Sequence, residues 1–397
     1  MGNAVIIDGV RTAIGRMGGT LKDVEADFLS EKVIREVVQR SQVNPHLIEE
    51  VVWGHAKQSS DVPNLARLAA LRAELPIEVP GYTVHRQCGS GLQAINNAAQ
   101  QISCGISDTI IAGGAESMST APYYLRKARY GYGAGNAELV DPNTESQPRA
   151  QPIEKYGNLT MGLTAENLAS KYNISREEQD EFALESQQKA ATAIQSGKFK
   201  EEIVPFEIKN KKEIMQFNTD EHPRLTSLEK LATLKPVFKE GGTVTAGNSS
   251  GRNDGAAALV MMSEDLALKQ GLAPRLRIVA QASVGVPPEI MGIGPVPATL
   301  KALRLAGLTL DDIDLVELNE AFAAQSLAVL RELNIDKKKL NVNGGAIALG
   351  HPIGGTGAIL TVKIMHELER IGGRYGLITA CIGGGQGIAT IVENLRV

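Results

Sequence analysis

Aromatic residues make up only 4% of this 397-residue chain, and cysteine occurs three times. The cysteines, Cys88, Cys104 and Cys381, form an odd set without Cys-x-x-Cys spacing. That pattern excludes a disulfide framework and predicts no zinc site or other metal site. We therefore expect a protein of a reducing compartment, the cytoplasm.

A large charge excess is also missing, because the formal net charge is −4 with 22% charged residues. This balance gives no electrostatic basis for binding nucleic acid or an anionic membrane surface, although a local basic patch could bind an anionic ligand. No apolar run reaches the length of a membrane span, and the N-terminus lacks the apolar core of a secretory signal. We expect neither nucleic acid nor a membrane as a partner.

Glycine, in contrast, is abundant, with 41 residues, and 43% of the chain is hydrophobic. This composition is typical of a globular α/β protein with many tight turns. A chain of 397 residues is too long for one ordinary hydrophobic core, so we expect two or three packed units.

Short β-branched runs alternate with longer helical patterns along the chain, and their order repeats. Strands are predicted at "NAVIIDG", "EEVVWGHA", "YTVHRQC" and "DTIIAGGAES" in the first half, and at "RLRIVAQASVG", "IDLVELNEAF", "LNVNGG" and "YGLITACIGGG" in the second. Superposing the halves pairs His55 with Asn319, a shift of 319 − 55 = 264 residues. One shift that holds over several elements favours duplicated α/β halves over a chance resemblance.

The segment between the halves has a different composition. Its first part, "RKARYGYGAGNAELVDPNTESQPRAQPIEKYGN", is polar, contains glycine and proline, and has no strand pattern. Further on, Ser175 lies three residues before Glu178, a spacing that helps to open an amphipathic helix. We predict an inserted loop domain over residues 121–247, a first half over residues 1–120 plus 248–272, and a second half over residues 273–397.

Cys88 lies where the strand "YTVHRQ" runs into "CGSGLQAINNAAQQI", a glycine-flanked turn that opens a helix. Backbone N–H groups and the positive end of the helix dipole favour the thiolate there, so this residue is a candidate nucleophile. A buried structural cysteine is the alternative. Gly89 and Gly91, which allow close approach, favour the nucleophile, whereas Cys104 inside the helix is predicted to belong to the core.

His351 lies in "ALGHPIGG", before a run of glycines that would let a ligand approach the backbone. Cys381 in "LITACIGGGQG" and Asn319 in "ELNEAF" each end a strand of the second half. Strand ends line the ligand crevice of open α/β sheets, so we expect these side chains to meet. A structural histidine with satisfied hydrogen bonds is the alternative for His351.

Six segments between Arg86 and Gly387 carry a resemblance to a known family. In chain order they are "RQCGSGLQA", "GGAESMS", "TAGNSSGRNDGA", "LNEAFAAQ", "GGAIALGHPIGGTGA" and "CIGGGQG". They resemble the signatures of the thiolases, and the resemblance covers nearly the whole chain. It implies the thiolase fold, in which two duplicated α/β halves pack as a layered αβαβα core with an inserted loop domain. It also implies a homo-oligomer, a dimer or a tetramer, and a role in fatty acid metabolism.

The resemblance implies acyl transfer between coenzyme A thioesters by a ping-pong route. Cys88 would accept the acyl group, His351 would take its proton, and Cys381 would remove a proton from the second thioester. A water held by Asn319 would join the ring N–H of His351 in one oxyanion hole, and backbone N–H groups of Cys88 and Gly383 would form another. Acetyl-CoA and 3-ketoacyl-CoA would be substrates, so coenzyme A is a substrate and no cofactor is expected.

The same resemblance suggests residues that contact coenzyme A. Ala246 and Ser250 in "TAGNSSG" match the pantetheine-binding segment, and Arg224 would lie near the adenine and the phosphates. A solvated surface arginine is an equal alternative for Arg224. Positions beside the acyl group are matched by Met161, Met291 and Phe322. Methionine and phenylalanine at such positions are often plain core.

Thr160 is a departure from the family pattern. Thiolases of the biosynthetic, acetoacetyl-CoA type carry a histidine before the segment "MGLTAEN", so threonine resembles the degradative type, whereas "MGIGPVPA" and "QCGSG" resemble the biosynthetic type. The leading prediction is acetyl-CoA C-acetyltransferase activity, and a 3-ketoacyl-CoA thiolase of broader chain length is the alternative.

Two further classes are less favoured. A catalytically silent thiolase-like protein that binds coenzyme A or lipid would have lost at least one of Cys88, Asn319, His351 and Cys381, and all are present. The decarboxylating ketoacyl synthases share the thiolase fold, but they normally use one active-site cysteine, so the second cysteine here argues against that class.

Overall fold

A computed structural model describes residues 2–209 and 213–397. The elements of the first half are β1 (Ala4–Thr12), β2 (Gly15–Arg16), α1 (Ala26–Ser41), β3 (Glu50–Gly54), α2 (Leu65–Arg72), β4 (Gly81–Val84), α3 (Ser90–Ser103) and β5 (Thr109–Ser117). Within these described ranges, no helix combines the length and the hydrophobicity needed to cross a bilayer.

The segment that follows holds β6 (Tyr124–Leu125), β7 (Leu139–Val140), α4 (Pro142–Glu145), α5 (Ile153–Tyr156), α6 (Met161–Lys171), α7 (Arg176–Gln195), β8 (Ile203–Val204), β9 (Phe206–Lys209), β10 (Ile214–Phe217) and α8 (Leu228–Ala232). The capping box at Ser175 is confirmed, because its hydroxyl accepts from Glu178 N–H while the Glu178 carboxylate accepts from Ser175 N–H. Residues 121–153 are less regular. Their strands are the two-residue pair β6 and β7, although the sequence of this segment has no strand pattern.

The remaining elements are β11 (Asn253–Ser263), α9 (Glu264–Lys269), β12 (Leu276–Gly285), α10 (Pro295–Ala306), β13 (Leu315–Leu318), α11 (Ala323–Leu333), α12 (Ala346–Leu349), α13 (Thr356–Ile371), β14 (Tyr375–Ile382) and β15 (Gln386–Asn394). Short 3-10 helices occupy Pro45–Leu47, Ala128–Tyr130, Pro148–Ala150 and Pro288–Ile293.

The strand order of the large sheet shows the duplication. It reads β13-β14-β15-β12-β1-β11-β5-β3-β4, so each half repeats the other about the contact between β1 and β12. In the first half β3 is parallel to β5, and antiparallel β11 lies between β5 and β1. In the second half β13 is parallel to β14, and antiparallel β15 lies between β14 and β12. The predicted duplication of α/β halves is therefore confirmed.

The helices complete a layered arrangement. Helices α1 and α2 pack on the outer side of the first half and α10 on β12 and β15, whereas α3 and α13 contact strands of both halves and each other. Every residue of α13 from Thr356 to Leu368 is buried. A helix that is buried on all sides belongs to an internal layer, so α3 and α13 form the central layer of the αβαβα core. The proposed domain limits at residues 120, 247 and 272 stay a prediction.

Two local predictions were wrong. The segment "LNVNGG" was predicted as a strand, but only a parallel bridge between Leu340 and Val316 forms there. Cys104 was predicted to be core, but it is exposed. Helix α3 buries Ile95 and Ile102 on one face and ends at Ser103, so Cys104 lies beyond its buried face.

Glycines bring the turn after His351 into contact with the strand ends of the first half. A Cβ on Gly114 in β5 would lie 2.2 Å from the carbonyl oxygen of Gly354, and a Cβ on Gly54 at the end of β3 would lie 2.6 Å from it. Real Cβ contacts are never that close, so backbone of one half touches backbone of the other only because side chains are missing. These glycines serve close packing between halves.

A glycine-to-alanine substitution is expected to destabilise the protein at this junction but not at an open surface position. Gly114→Ala is expected to lower the free energy of unfolding by about 1–3 kcal/mol, because the added methyl overpacks the contact with Gly354. Gly133→Ala is the matched control, since a Cβ at Gly133 has nothing within 4 Å. Thermal denaturation of both variants checks this, and equal melting temperatures would contradict the proposed contact.

Candidate active site

Cys88 is positioned by a short bend between β4 and α3. Gln87 adopts the left-handed region with φ 45°, and Gly89 is the residue before the first turn of α3. The hydroxyl of Ser90 accepts from Arg86 N–H at 2.9 Å and donates to the carbonyl of Gln87 at 2.6 Å, which holds the bend. The sequence thus presents the thiol at the start of the central helix.

The thiol of Cys88 is protonated at neutral pH. Burial raises its pKa, and this outweighs the opposing effects of the N–H of Gly383, the charge of Lys57 and its own N–H. The expectation that the helix N-terminus favours the thiolate is not met, because loss of hydration disfavours the charged form more than the nearby N–H groups stabilise it. Cys88 therefore needs a base.

His351 can act as that base. Its Nδ1 lies 2.6 Å from the hydroxyl oxygen of Thr356, and that hydroxyl donates to the carbonyl of Pro352 at 2.9 Å. The hydroxyl must then accept from Nδ1–H, which leaves the lone pair on Nε2. Burial lowers the pKa of His351 to about 4. At neutral pH the ring is uncharged and able to take a proton at Nε2.

Asn319 lies beside this nitrogen. It follows the end of β13, where its backbone N–H donates to Thr379 O at 3.0 Å. Its side-chain Nδ2 is 3.5 Å from His351 Nε2, and in the part of the chain that the structure describes its buried Oδ1 has no hydrogen-bond partner. A buried amide oxygen without a partner leaves a polar position at which a water could bind.

Cys381 provides a second thiol. It lies in β14 opposite Gly387 of β15, is fully buried, and packs in one apolar cluster with Met291 and Phe322. Burial raises its pKa well above the ordinary value, and the proximity of Cys88 raises it further. Cys381 is therefore a proton donor in the resting site.

Cys88 and His351 line a cleft with about 890 Å³ of empty space, part of which is open to solvent. Asn319 and Cys381 are buried behind this lining, Asn319 beside His351 and Cys381 beside Met291 and Phe322. Of the residues singled out in the sequence, those that line the cleft are Cys88, Met161, Ser250, Met291, Phe322, His351 and Gly383. Phe238 adds to its apolar wall and meets Phe322 edge to face, with ring centroids 6.0 Å apart. The cleft combines an apolar wall with a thiol, a neutral imidazole and a backbone donor.

Comparison with known proteins places the chain in a family. A family profile described as the N-terminal domain of thiolase matches residues 4–265, and one described as the C-terminal domain matches residues 272–394. The chain belongs to the thiolase family. An acetyl-CoA acetyltransferase of Escherichia coli (strain K12) is 50% identical over 398 residues, which cover 100% of both proteins.

Solved thiolase structures have the same fold. The crystal structure of the Bacillus anthracis acetyl-CoA acetyltransferase is 50% identical and matches with a TM-score of 0.97, covering 100% of this chain and 99% of that one. The crystal structure of human mitochondrial 3-ketoacyl-CoA thiolase is 47% identical and matches with a TM-score of 0.94, covering 99% of each chain. The fold and the family predicted from the sequence are confirmed.

Other residues singled out from the thiolase motifs lie outside the lining of the cleft. Ala246 and Arg224 are exposed, and the backbone N–H of Arg224 donates to Gln187 Oε1 at 2.9 Å. Their contacts with coenzyme A stay a prediction. Thr160 precedes α6, and its hydroxyl accepts from Leu163 N–H at 3.4 Å, so it acts as the helix N-cap.

Sequence reasoning missed Glu116, the buried carboxylate that joins the elements of this thiolase site. Its oxygens accept from the N–H groups of Ala56 at 3.1 Å, Lys57 at 3.0 Å and Gly354 at 2.9 Å, and His55 Nδ1 lies 2.9 Å away. A charged residue within the apolar run "TIIAGGAES" was the available signal, because lone buried carboxylates are rare.

Three more residues of the cleft and its support had no local signal. Lys57 and Arg252 line the cleft, and Thr356 fixes the tautomer of His351. Each lies in a segment whose sequence is also compatible with an ordinary turn or helix start. Only the packing of distant segments identifies them.

The protonation state of Cys88 can be tested by alkylation. In a Cys104→Ser background, which removes the exposed thiol, the iodoacetamide reaction rate at Cys88 is expected to keep rising beyond pH 9.0, the ordinary cysteine pKa. The reason is that only the thiolate reacts and burial raises the pKa. Peptide mass spectrometry assigns the site, and a rate that is already constant below pH 7 would contradict a neutral resting thiol.

Proposed function

We propose that this thiolase transfers acetyl groups between coenzyme A thioesters, with acetoacetyl-CoA cleaved or formed by way of an acyl-enzyme at Cys88. The observation that carries the proposal is that the Cys88 thiol and a neutral imidazole line one apolar cleft, while the buried Cys381 thiol packs with residues of its wall. Acetyl-CoA acetyltransferases are among the relatives that match over nearly their full length. A silent binding protein would not need this set of groups.

In the cleavage direction, the first step forms the acyl-enzyme. His351 Nε2 takes the proton of Cys88, and the sulfur attacks the 3-keto carbon of the substrate. The bond between C2 and C3 breaks, which leaves the acyl group on Cys88 and the enolate of acetyl-CoA. The thiol of Cys381 protonates that enolate, in agreement with its raised pKa.

Two groups of hydrogen-bond donors would stabilise the negative charge that develops on the oxygen of the attacked carbonyl and on the enolate oxygen. The N–H of Gly383 and that of Cys88 itself are directed to the Cys88 sulfur, close to where the oxygen of an attacked carbonyl would form. Once protonated at Nε2, His351 donates as well, and Asn319 beside it would hold a water for the enolate oxygen. These donors are the two oxyanion holes predicted from the sequence, and they are part of the proposal.

The second step regenerates the enzyme. The sulfur of coenzyme A attacks the acyl group on Cys88, and the Cys381 thiolate takes the proton of the coenzyme A thiol. Cys88 leaves and recovers its proton from His351, so all groups return to their first protonation states. Read in reverse, the same steps condense two thioesters by forming a C–C bond. Coenzyme A is a substrate throughout, and the steps need no cofactor.

Chain length, assembly and location belong to the same proposal. The side chains of Met161, Met291, Phe238 and Phe322 form the apolar wall of the cleft. A short acyl chain is supported by the acetyl-CoA acetyltransferases among the relatives. A broader 3-ketoacyl-CoA thiolase is the alternative. We propose a homo-oligomer, a dimer or a tetramer, in a reducing compartment such as the cytoplasm, because both Cys88 and Cys381 must be reduced to act.

The roles of the two cysteines predict different defects. Cys88→Ser is expected to abolish the mass increase of one acetyl group that acetyl-CoA produces, because the nucleophile is lost. Cys381→Ala is expected to acylate but to condense at least ~100-fold more slowly, because the second proton transfer is lost. Intact-protein mass spectrometry and a condensation assay measure these, with Cys104→Ser as the matched control that retains both. Acetyl labelling of another residue in Cys88→Ser would refute the assignment.

Substrate length is tested by thiolysis of neutral 3-ketoacyl-CoA substrates of increasing length. We expect kcat/KM to fall steeply beyond acetoacetyl-CoA, because a longer neutral chain would cover polar groups of the lining such as Lys57 without pairing with them. A flat or rising profile would instead support the broader degradative thiolase. Absence of turnover with every substrate would support the silent binding protein.

A further inference from the structure

Lys57 lies at the same sheet edge as the nucleophile. Strands β3 and β4 are parallel neighbours, and Gly54 at the end of β3 is in register with Val84 at the end of β4. Lys57 follows Gly54 by three residues and Cys88 follows Val84 by four, so both lie just beyond adjacent strand ends. Lys57 is 7% exposed and lines the cleft together with Cys88.

The ammonium group of Lys57 has no ion-pair partner in direct contact. Its Nζ donates to Ser146 Oγ at 2.6 Å and to Pro142 O at 3.3 Å, which uses two of three N–H groups. Across residues 2–209 and 213–397, no carboxylate oxygen lies within 4.0 Å of it. Burial lowers the pKa of Lys57, which shows that the site disfavours an unpaired charge. A buried cation in this condition is stabilised by an incoming anion.

The nearby acidic residue does not fill that role. Glu116 raises the pKa of Lys57 through its charge, but its oxygens accept from the backbone N–H groups of Ala56, Lys57 and Gly354. Its ion-pair partner is His55, whose Nδ1 is 2.9 Å away. The oxygens of Glu116 therefore bind groups at the junction between the halves. The third N–H of Lys57 stays available for another acceptor.

A second cation strengthens the positive character of this part of the cleft. Arg252 also lines it, and its charge lowers the pKa of Lys57, so the two side chains are close. Arg252 contacts Asp141 at 3.4 Å and Thr144 at 3.1 Å on the outer side. Among the described residues that line the cleft there is no aspartate or glutamate. The lining therefore carries two cations and no carboxylate.

We propose that the cleft accepts 3-ketoacyl-CoA substrates whose acyl chain ends in a carboxylate, and that Lys57 binds this carboxylate. The proposal rests on the function proposed above and extends its substrate range. The phosphates of coenzyme A are separated from the thioester by the whole pantetheine arm, so a buried cation beside Cys88 is within reach of the acyl chain instead. A methyl-terminated chain would cover Lys57 without giving it a partner, which is the basis of discrimination.

Thiolysis of three substrates tests the proposal. The probes are acetoacetyl-CoA, neutral 3-oxohexanoyl-CoA, and 3-oxoadipyl-CoA, which has the same six-carbon chain with a terminal carboxylate. The unmodified protein is expected to show a kcat/KM at least ~10-fold higher for 3-oxoadipyl-CoA than for 3-oxohexanoyl-CoA, because a charge-assisted hydrogen bond forms with the first alone. The ratio of these two values is the readout.

Variants of Lys57 identify the residue responsible. Lys57→Met keeps the length of the side chain without its charge, and the ratio is expected to fall by roughly 10- to 100-fold. Lys57→Arg keeps the charge and is expected to retain a ratio above one. Ser146→Ala is the matched control for anchoring, because it removes a hydrogen-bond acceptor of Lys57 but leaves its charge; the ratio should stay within about threefold of the unmodified value.

The outcomes separate this inference from the proposed function. Absence of acetoacetyl-CoA cleavage by the unmodified protein would refute the function itself. Cleavage of acetoacetyl-CoA with a ratio at or below one would overturn the inference and leave the function standing. An equal loss on all three substrates in Lys57→Met would also overturn it, because Lys57 would then only anchor α4. If Lys57→Met does not fold, the ratio of the unmodified protein still decides.

Discussion

The site depends on the hydrogen bonds and the ion pair of one buried carboxylate, that of Glu116. It accepts from Ala56 and Lys57 beyond β3, and from Gly354 in the turn that follows His351, while His55 pairs with it. Burial alone would raise the pKa of Glu116, but His55, Lys57 and the N–H groups lower it. The carboxylate stays charged and links the two halves where their chemical groups meet, since breaking a buried pair on one side is costly.

The glycines of the same junction have a packing role that the sequence alone left open. The run after His351 was interpreted as room for a thioester to approach the backbone. In the structure, a Cβ on Gly354 would lie 2.6 Å from Ala115 O, and one on Gly91 would lie 2.9 Å from Gly354 O. The bare backbone thus lets the turn press against β5 and α3, and this contact sets the place of the imidazole relative to the Cys88 thiol.

The resting site is neutral at its reacting atoms. Burial raises the pKa of Cys88 and of Cys381 and lowers that of His351 to about 4. Charge would therefore develop only as protons move during the reaction, next to donors that are already in place, such as the N–H of Gly383. Lys57 and Arg252 are the exceptions, because they bring positive charge to the lining of an otherwise neutral and mostly apolar cleft.

The sequence by itself determined the duplicated α/β halves, the family, and the candidate residues Cys88, His351, Cys381 and Asn319. These predictions follow from local signals, because the periodicity of hydrophobic residues, the glycine turns and the strand ends are properties of contiguous segments. Only the tertiary structure decided the protonation states, the exposure of Cys104, and the burial of Lys57 at the cleft. Burial and charge balance arise when segments distant in the chain pack together, and no stretch of contiguous residues carries that information.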